Sequence, residues 1–183
     1  NSLRLPGIFS EETSQRTYPA GDLASHIVGF VQGDGSGGAG IESAFNDFLT
    51  GTPGQQTYER GPRGRVIPTQ NQSSTAAVAG SDVQLTVDRD LQFVAQEALQ
   101  GVFQRSGASS AAAVVMDIRT GEILAMATAP DFDPNRFTQS TEDDRRNRAI
   151  TDIFEPGSTG KVITAAAVIN EGVVDPLTPI KVP

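Results

Sequence analysis

The clearest hydrophobic rhythm in the chain lies between residues 83 and 130. Val83-Gln84-Leu85-Thr86-Val87 alternates apolar and polar positions, the period of a half-buried strand. Asp88 follows as an N-cap for a helix from Arg89 to about Arg105. Leu91, Val94, Ala95, Ala98, Leu99 and Val102 recur at helical spacing and form its expected buried stripe, and Gly107 closes it. Ala111–Asp117 and Glu122–Ala127 then read as strands around Ile118-Arg119-Thr120-Gly121, a hairpin with glycine where a positive φ is wanted. The first strand is apolar on both faces, which predicts a central position. Asp131-Phe132-Asp133-Pro134-Asn135 is turn chemistry. The charged run Glu142–Arg148 predicts a solvated surface segment. Glu155-Pro156-Gly157 leads into an apolar helix from about Ser158 to Glu171, ended by Gly172.

The first 82 residues have a different texture, rich in Gly, Ser, Thr and Gln with short apolar stretches. Gly33–Gly40 reads as a flexible loop. Ile41, Phe45, Phe48 and Leu49 share one face of a short helix that stops at Gly51 before Pro53. Tyr58–Pro68 reads as extended with a turn at Gly61-Pro62-Arg63-Gly64, and Asn71–Ala77 as an exposed polar turn. The expected fold class is α+β. A strand-rich module with one helix spans residues 1–82, and the first part of an α/β layered domain spans 83–183.

A length of 183 residues suits one ordinary domain, or a small one plus part of a second. No apolar run approaches the roughly 18 residues a membrane span needs. The longest, Ala111–Met116 and Val162–Ile169, are the size of buried strand or helix segments. A net charge of −8 argues against non-specific nucleic-acid binding. Without cysteine there are no disulfides and no thiolate zinc sites. One histidine, His26, excludes a multi-histidine metal centre, and it lies far in sequence from the best candidate serine. No metal or organic cofactor is implied. The chain begins Asn-Ser-Leu and ends a few residues past a strongly helical pattern, so both ends read as cut.

One constellation carries chemistry: Ser158-Thr159-Gly160-Lys161 at the start of the last helix. Serine and lysine three apart on a helix share a face, within reach of a hydrogen bond between Oγ and Nζ. Serine needs a base to become a nucleophile. Lysine can serve if burial and nearby positive potential favour its neutral form. A helix N-terminus supplies such potential and stabilises a developing alkoxide, and the Ser158 amide is a candidate oxyanion donor. Lys161 and Lys181 are the only lysines, set against a dozen arginines, so a serine–lysine pairing is rarer here than in most chains. Spacing alone still leaves open a serine at a helix start with a solvated lysine one turn on.

Phe154-Glu155-Pro156-Gly157-Ser158-Thr159-Gly160-Lys161-Val162 resembles the active-site segment of class B penicillin-binding proteins, the monofunctional peptidoglycan transpeptidases. Gln84-Leu85-Thr86-Val87-Asp88-Arg89-Asp90-Leu91-Gln92 resembles the entry to their transpeptidase domain. Val114–Met126 resembles its first hairpin, and Phe132-Asp133-Pro134-Asn135 the turn beyond. Arg16-Thr17-Tyr18-Pro19-Ala20-Gly21, with Gly40-Ile41-Glu42, is similar to the family's non-catalytic pedestal (dimerisation-type) module. The resemblance spans nearly the whole chain, in order.

That resemblance implies a serine β-lactamase/transpeptidase-like fold and a D,D-transpeptidase crosslinking peptidoglycan stem peptides. Ser158 would be the nucleophile, with its backbone N–H in the oxyanion hole, and Lys161 the general base. β-Lactams would acylate the same serine. Implied partners are cell-division or elongation membrane proteins and the remaining C-terminal half of the transpeptidase domain. The implied location is the extracytoplasmic face of the bacterial cytoplasmic membrane, anchored by a preceding segment. The Ser158-Thr159-Gly160-Lys161 variant and the N-terminal motifs lean towards the division enzyme. Many family members carry an aromatic residue in place of Gly160, a change that removes no catalytic atom. The family's Ser-x-Asn and Lys-Thr/Ser-Gly motifs are absent from the sequence, so this stretch alone is expected to be inactive.

Rival readings fare worse. A phosphate-binding loop fails on spacing, since Glu155 and Val162 stand where it needs Gly and Ser or Thr. Asp131, Asp133, Asp143 and Asp144 lack the spaced ligand ladder of a calcium loop. His26 reads as a satisfied structural histidine, and Glu42 as a packing residue of the pedestal. The non-enzyme alternative is a pedestal fragment that binds envelope or division partners. A β-lactamase or β-lactam sensor would share the nucleophile motif, but neither normally carries such an N-terminal module.

Overall fold

A computed structural model describes residues 15–62, 66–67 and 73–179. They fall into two compact units, one up to Thr151 and one from Asp152 onward. The first begins with a short helix α1 (Ser25–Val28), followed by α2 (Gly40–Ala44) and α3 (Asn46–Thr50). The single helix expected over Ile41–Leu49 is thus two, broken at Phe45, whose backbone leaves the helical region at φ −113°. Gly51 ends α3 with a positive φ, as its position before Pro53 implies. Two small antiparallel ribbons follow. Strand β1 (Gln55–Thr57) pairs with β4 (Ser73–Thr75), and β2 (Glu59–Arg60) pairs with β3 (Val66–Ile67). Ser73–Thr75 is therefore an exposed strand and not the turn its polarity suggested. The proposed turn residues Arg63 and Gly64 lie outside the described residues.

Gly33–Gly40 is not loose. A bridge joins Val31 to Gly37, and Asn46 Oδ1 accepts from the Gly37 amide at 2.9 Å. A Cβ on Gly37 would overlap the Glu42 carbonyl, and one on Gly38 would strike the Phe30 ring. Glycine is needed here for close approach of backbone to neighbour. Glu42 is buried at 4% exposure and accepts from Arg16 Nε at 2.6 Å. Burial, together with the nearby Glu42 carboxylate, pushes the Tyr18 phenol up to about 12.

Helix α4 (Arg89–Ser106) starts where Asp88 predicts. The Asp88 carboxylate accepts from the amides of Asp90 and Leu91 at 3.0 and 2.9 Å, and Gly107 closes the helix at φ +67°. It packs on the hairpin of β5 (Ala111–Met116) and β6 (Ile123–Ala129), joined through Gly121 at φ +78°. Val83, Leu85 and Val87 are half-buried and alternate with exposed Gln84 and Thr86, yet the segment forms no strand. It runs beside β6 on the Thr86 hydroxyl bond to the Ile123 carbonyl and the Asp88 amide bond to the Leu124 carbonyl. The central position expected for β5 is not observed, because among the described residues it pairs only with β6. The buried strand is β6, whose Ala125, Ala127 and Ala129 are at most 1% exposed.

The expected stripe of α4 is also rotated. Leu91, Val94 and Val102 face solvent, whereas Gln92 is 1% exposed. Its amide donates to the Met126 carbonyl at 3.0 Å and accepts from the Met126 amide at 2.8 Å. One turn on, Gln96 accepts from the Ala24 amide and donates to the Asp22 carbonyl and the Asp131 carboxylate.

After β6 the chain turns at Asp131–Asp133 into a 3₁₀ helix, Pro134–Gln139, capped by Asp133 on the Asn135 amide at 2.9 Å. The charged run is partly packed and not wholly solvated. Arg145 lies over the rings of Phe30 and Phe137, and the Asp144 carbonyl contacts His26. Arg148 opens α5 (Arg148–Thr151), its side chain only 10% exposed and paired with Asp143. In the second unit a 3₁₀ turn, Gly157–Gly160, runs into α6 (Lys161–Asn170). Among the described residues no helix is long and apolar enough to cross a membrane.

Replacing Gln92 by Leu leaves two buried backbone groups of Met126 without partners. The expected loss is about 2–4 kcal/mol, read as a lowered urea midpoint by circular dichroism, with Gln100→Leu on the same helix close to wild type.

Candidate active site

The second unit places the candidate chemistry on a tight turn. Pro156 precedes it with helical φ and ψ of −69° and −21°. Gly157 then takes φ +55°, a left-handed conformation that a side chain disfavours. Ser158 and Thr159 complete the turn, with the Thr159 amide donating to the Pro156 carbonyl at 3.1 Å. The Lys161 amide donates back to the carbonyls of Ser158 and Thr159. Sequence periodicity predicted an α-helix from Ser158. The observed 3₁₀ turn changes the geometry, because residues three apart eclipse one another in it. Ser158 lies within that turn, and Lys161 begins the α-helix proper.

Both residues are solvent-exposed. Helix α6 was expected to be buried, yet Val162 and Ile163 are 69% and 74% exposed. The turn packs against α6, and the apolar surface of the helix is otherwise open. The dry surroundings that a lysine base requires are therefore not built by these residues. Gly160 has an ordinary helical φ of −64°, and a Cβ there would meet only Pro156 carbons at 3.5 and 3.7 Å. The position can therefore hold a Cβ without strain.

The other candidates lie in the first unit. His26 and Glu42 are hydrogen-bonded and buried. The four aspartates are engaged locally: Asp131 with Gln96, Asp133 with Asn135, Asp143 with Arg148, and Asp144 with Thr141. Hydrogen bonds from the Thr141 amide and hydroxyl hold the Asp144 carboxyl below the usual carboxylate range. No cluster of metal-binding side chains occurs among the described residues. Sequence reasoning missed Gln92, Gln96 and Asn147 as organising residues. Glutamines recurring four apart along the helix, at Gln92, Gln96, Gln100 and Gln104, were the available signal.

Comparison with known proteins supplies the frame. Residues 1–85 match the family model for the penicillin-binding protein dimerisation domain, and residues 111–183 match the model for the penicillin-binding protein transpeptidase domain. The chain belongs to the class B penicillin-binding proteins. Among its relatives, it is 40% identical over 172 residues to the peptidoglycan D,D-transpeptidase FtsI of Escherichia coli, covering 94% of this chain and 29% of that protein. It is 41% identical over 181 residues to penicillin-binding protein PbpB of Mycolicibacterium smegmatis, covering 98% of this chain and 28% of the relative. The crystal structure of penicillin-binding protein 3 from Mycobacterium tuberculosis aligns with a TM-score of 0.73 at 38% identity, over 92% of this chain and 34% of that one. The chain thus spans about three tenths of the length of these curated relatives.

The turn geometry separates the two glycines around Ser158. Gly157→Ala is expected to destabilise the turn by about 1–2 kcal/mol, seen as faster amide exchange at Thr159 and Lys161. Gly160→Ala should leave that exchange unchanged.

Proposed function

We propose that the chain is part of a peptidoglycan D,D-transpeptidase that works through an acyl-enzyme at Ser158. The observation that carries this reading is the Gly157–Gly160 turn, which sets Ser158 one turn before Lys161 at the start of α6, within the stretch that matches the transpeptidase family model. Ser158 Oγ attacks the carbonyl of the penultimate D-alanine of a stem peptide, and its proton passes to Lys161 Nζ. The peptide C–N bond breaks, and the terminal D-alanine leaves with that proton. An amine of a neighbouring strand then displaces the ester, forming the crosslink and regenerating Ser158. The Ser158 amide serves as one oxyanion donor. In this reading a β-lactam opens on the same serine and stays attached. Structures of the M. tuberculosis relative complexed with ampicillin and aztreonam support β-lactam binding, the coarser part of that expectation.

The division of labour follows the sequence: residues 1–82 as pedestal, 83–183 as the start of the transpeptidase domain. Further residues of that domain supply the Ser-x-Asn and Lys-Thr/Ser-Gly elements and the desolvation of Lys161. The reading places the enzyme outside the cytoplasmic membrane, anchored by a preceding segment, among division-type membrane partners. The lean towards division over lateral-wall synthesis rests on the Ser158-Thr159-Gly160-Lys161 variant and the N-terminal motifs.

Labelling with a fluorescent penicillin tests it. The 183-residue chain alone should not label, and the chain co-expressed with the C-terminal part of its transpeptidase domain should. Ser158→Ala should abolish the label, and Lys161→Met should slow it by about 10²-fold or more. A completed protein that stays unlabelled would remove the nucleophile assignment and leave the pedestal as the source of function.

A further inference from the structure

Within the first unit, residues that match the dimerisation model meet residues that match the transpeptidase model along a polar and aromatic seam. The Tyr18 amide donates to Asn135 Oδ1, and Asn135 Nδ2 donates to the Tyr18 carbonyl, both at 2.9 Å. Phe30 stacks on Phe137 at 4.3 Å between ring centroids and meets Phe132 edge-on at 6.1 Å. Asn147 Nδ2 donates to the His26 carbonyl at 3.3 Å. At the middle of this seam sits the imidazole of His26, 7% exposed and T-shaped against Phe132 at 5.2 Å.

The ring's hydrogen bonds define its protonation state. Nε2 lies 2.8 Å from the Asp144 carbonyl, an oxygen that can only accept, so Nε2 carries the proton and donates. Nδ1 is then the acceptor, and it faces the Ser25 hydroxyl at 3.5 Å. A second proton on Nδ1 would force that hydroxyl to turn its hydrogen elsewhere. It would also place a full charge against the Phe132 ring in a nearly dry site.

The charged groups around the ring do not cancel this cost. Asp131, at the exit of β6, and Asp144, in the turn before α5, favour the charged form. Arg148, at the start of α5, opposes it. The Asp144 carboxylate is already engaged by the Thr141 amide and hydroxyl, at 2.9 and 2.7 Å, and Asp143 is paired with Arg148. From α2, Glu42 is committed to Arg16; α4 brings uncharged Gln92 and Gln96 to this end, with Arg89, Asp90 and Glu97 lining the cleft beside Asp131.

We propose that His26 is a proton-sensitive latch that closes the seam between α1 and residues 141–148 when neutral and loosens it when doubly protonated. Burial, the largest influence, holds His26 below its ordinary value of 6.5. The open seam therefore binds the second proton more tightly than the closed one. It follows that closure is favoured fully above about pH 6.5 and weakens as pH falls through the depressed value. A protein acting outside the cytoplasmic membrane would meet external acid directly at this point. The latch itself does not depend on the Ser158 chemistry.

Because His26 is the only histidine in the chain, its imidazole proton signals need no assignment. We would titrate the 183-residue chain by NMR while following amide exchange, corrected for its intrinsic pH dependence, between pH 7.5 and 5.5. The expected result is a His26 midpoint below 6.5, with protection in residues 25–30 and 141–148 lost in step with it. Each unit of depression corresponds to roughly a tenfold change in the opening equilibrium. His26→Gln keeps a side-chain N–H donor and cannot titrate, so its seam protection should be flat over this range. A midpoint at or above 6.5, unchanged wild-type protection, or an equal loss in His26→Gln would each overturn the proposal. Should the variant fail to fold, the wild-type titration decides the matter, by whether protection tracks the His26 midpoint.

Discussion

The larger unit depends on one amide side chain. Gln92 lies at the contact of α4 with β6 and satisfies both main-chain groups of Met126. A side chain that pairs with an amide and a carbonyl of one strand residue fixes the helix in translation and in rotation, which apolar packing alone does less sharply. Gln96 extends the same device by one turn. Its amide joins α4 to Asp22 and Ala24 of the pedestal and to Asp131 beyond β6. Ala24 is held at φ +58°, left-handed for a residue with a Cβ, by surroundings that include this bond. The glutamine pair thus carries the position of the hairpin into the position of α1, and so of His26.

This explains which parts of the fold could be read from sequence. Asp88, Gly107 and Gly121 act on their own neighbours, so the start and end of α4 and the hairpin turn were legible. The buried face of α4 was not, because it is decided by Met126, more than thirty residues away, whose backbone accepts nothing from Leu91 or Val94. Val83–Val87 shows the same limit in another form. Its alternation correctly gave which side chains are half-buried, but a ladder needs a partner strand in register, and β6 offers it only scattered bonds. Gly33–Gly40 looked flexible because composition does not reveal the Phe30 ring pressed against Gly38. The run 142–148 looked solvated because charge does not reveal that one of its carbonyls faces a buried histidine.

The candidate site was legible as a motif and less so as a shape. Spacing and the scarcity of lysine brought Ser158 and Lys161 forward but left a solvated pair open, and the resemblance of Phe154–Val162 to the class B active-site segment decided the reading. Their environment was not foreseen. The sequence implied a buried helix, since an apolar stretch such as Val162–Ile169 is costly in water. In the observed unit that surface is exposed, so the apolar character of α6 records contacts that these residues do not themselves provide.

The 3₁₀ turn gives the motif a backbone reason. In an α-helix, residues three apart are offset by about 60° around the axis, and a serine and a lysine must converge through side-chain rotamers. In a 3₁₀ turn residues three apart eclipse, a geometry the chain approaches over Gly157–Gly160 just before Lys161 opens α6. Entering so tight a turn directly from Pro156 requires a residue at positive φ, and Gly157 supplies it. The hydrogen bond from the Lys161 amide to the Ser158 carbonyl then locks the two ends of the pair together. On this argument the glycine before the serine determines geometry, whereas Gly160 after it is free to vary, because its Cβ direction opens only onto Pro156 at ordinary contact distance.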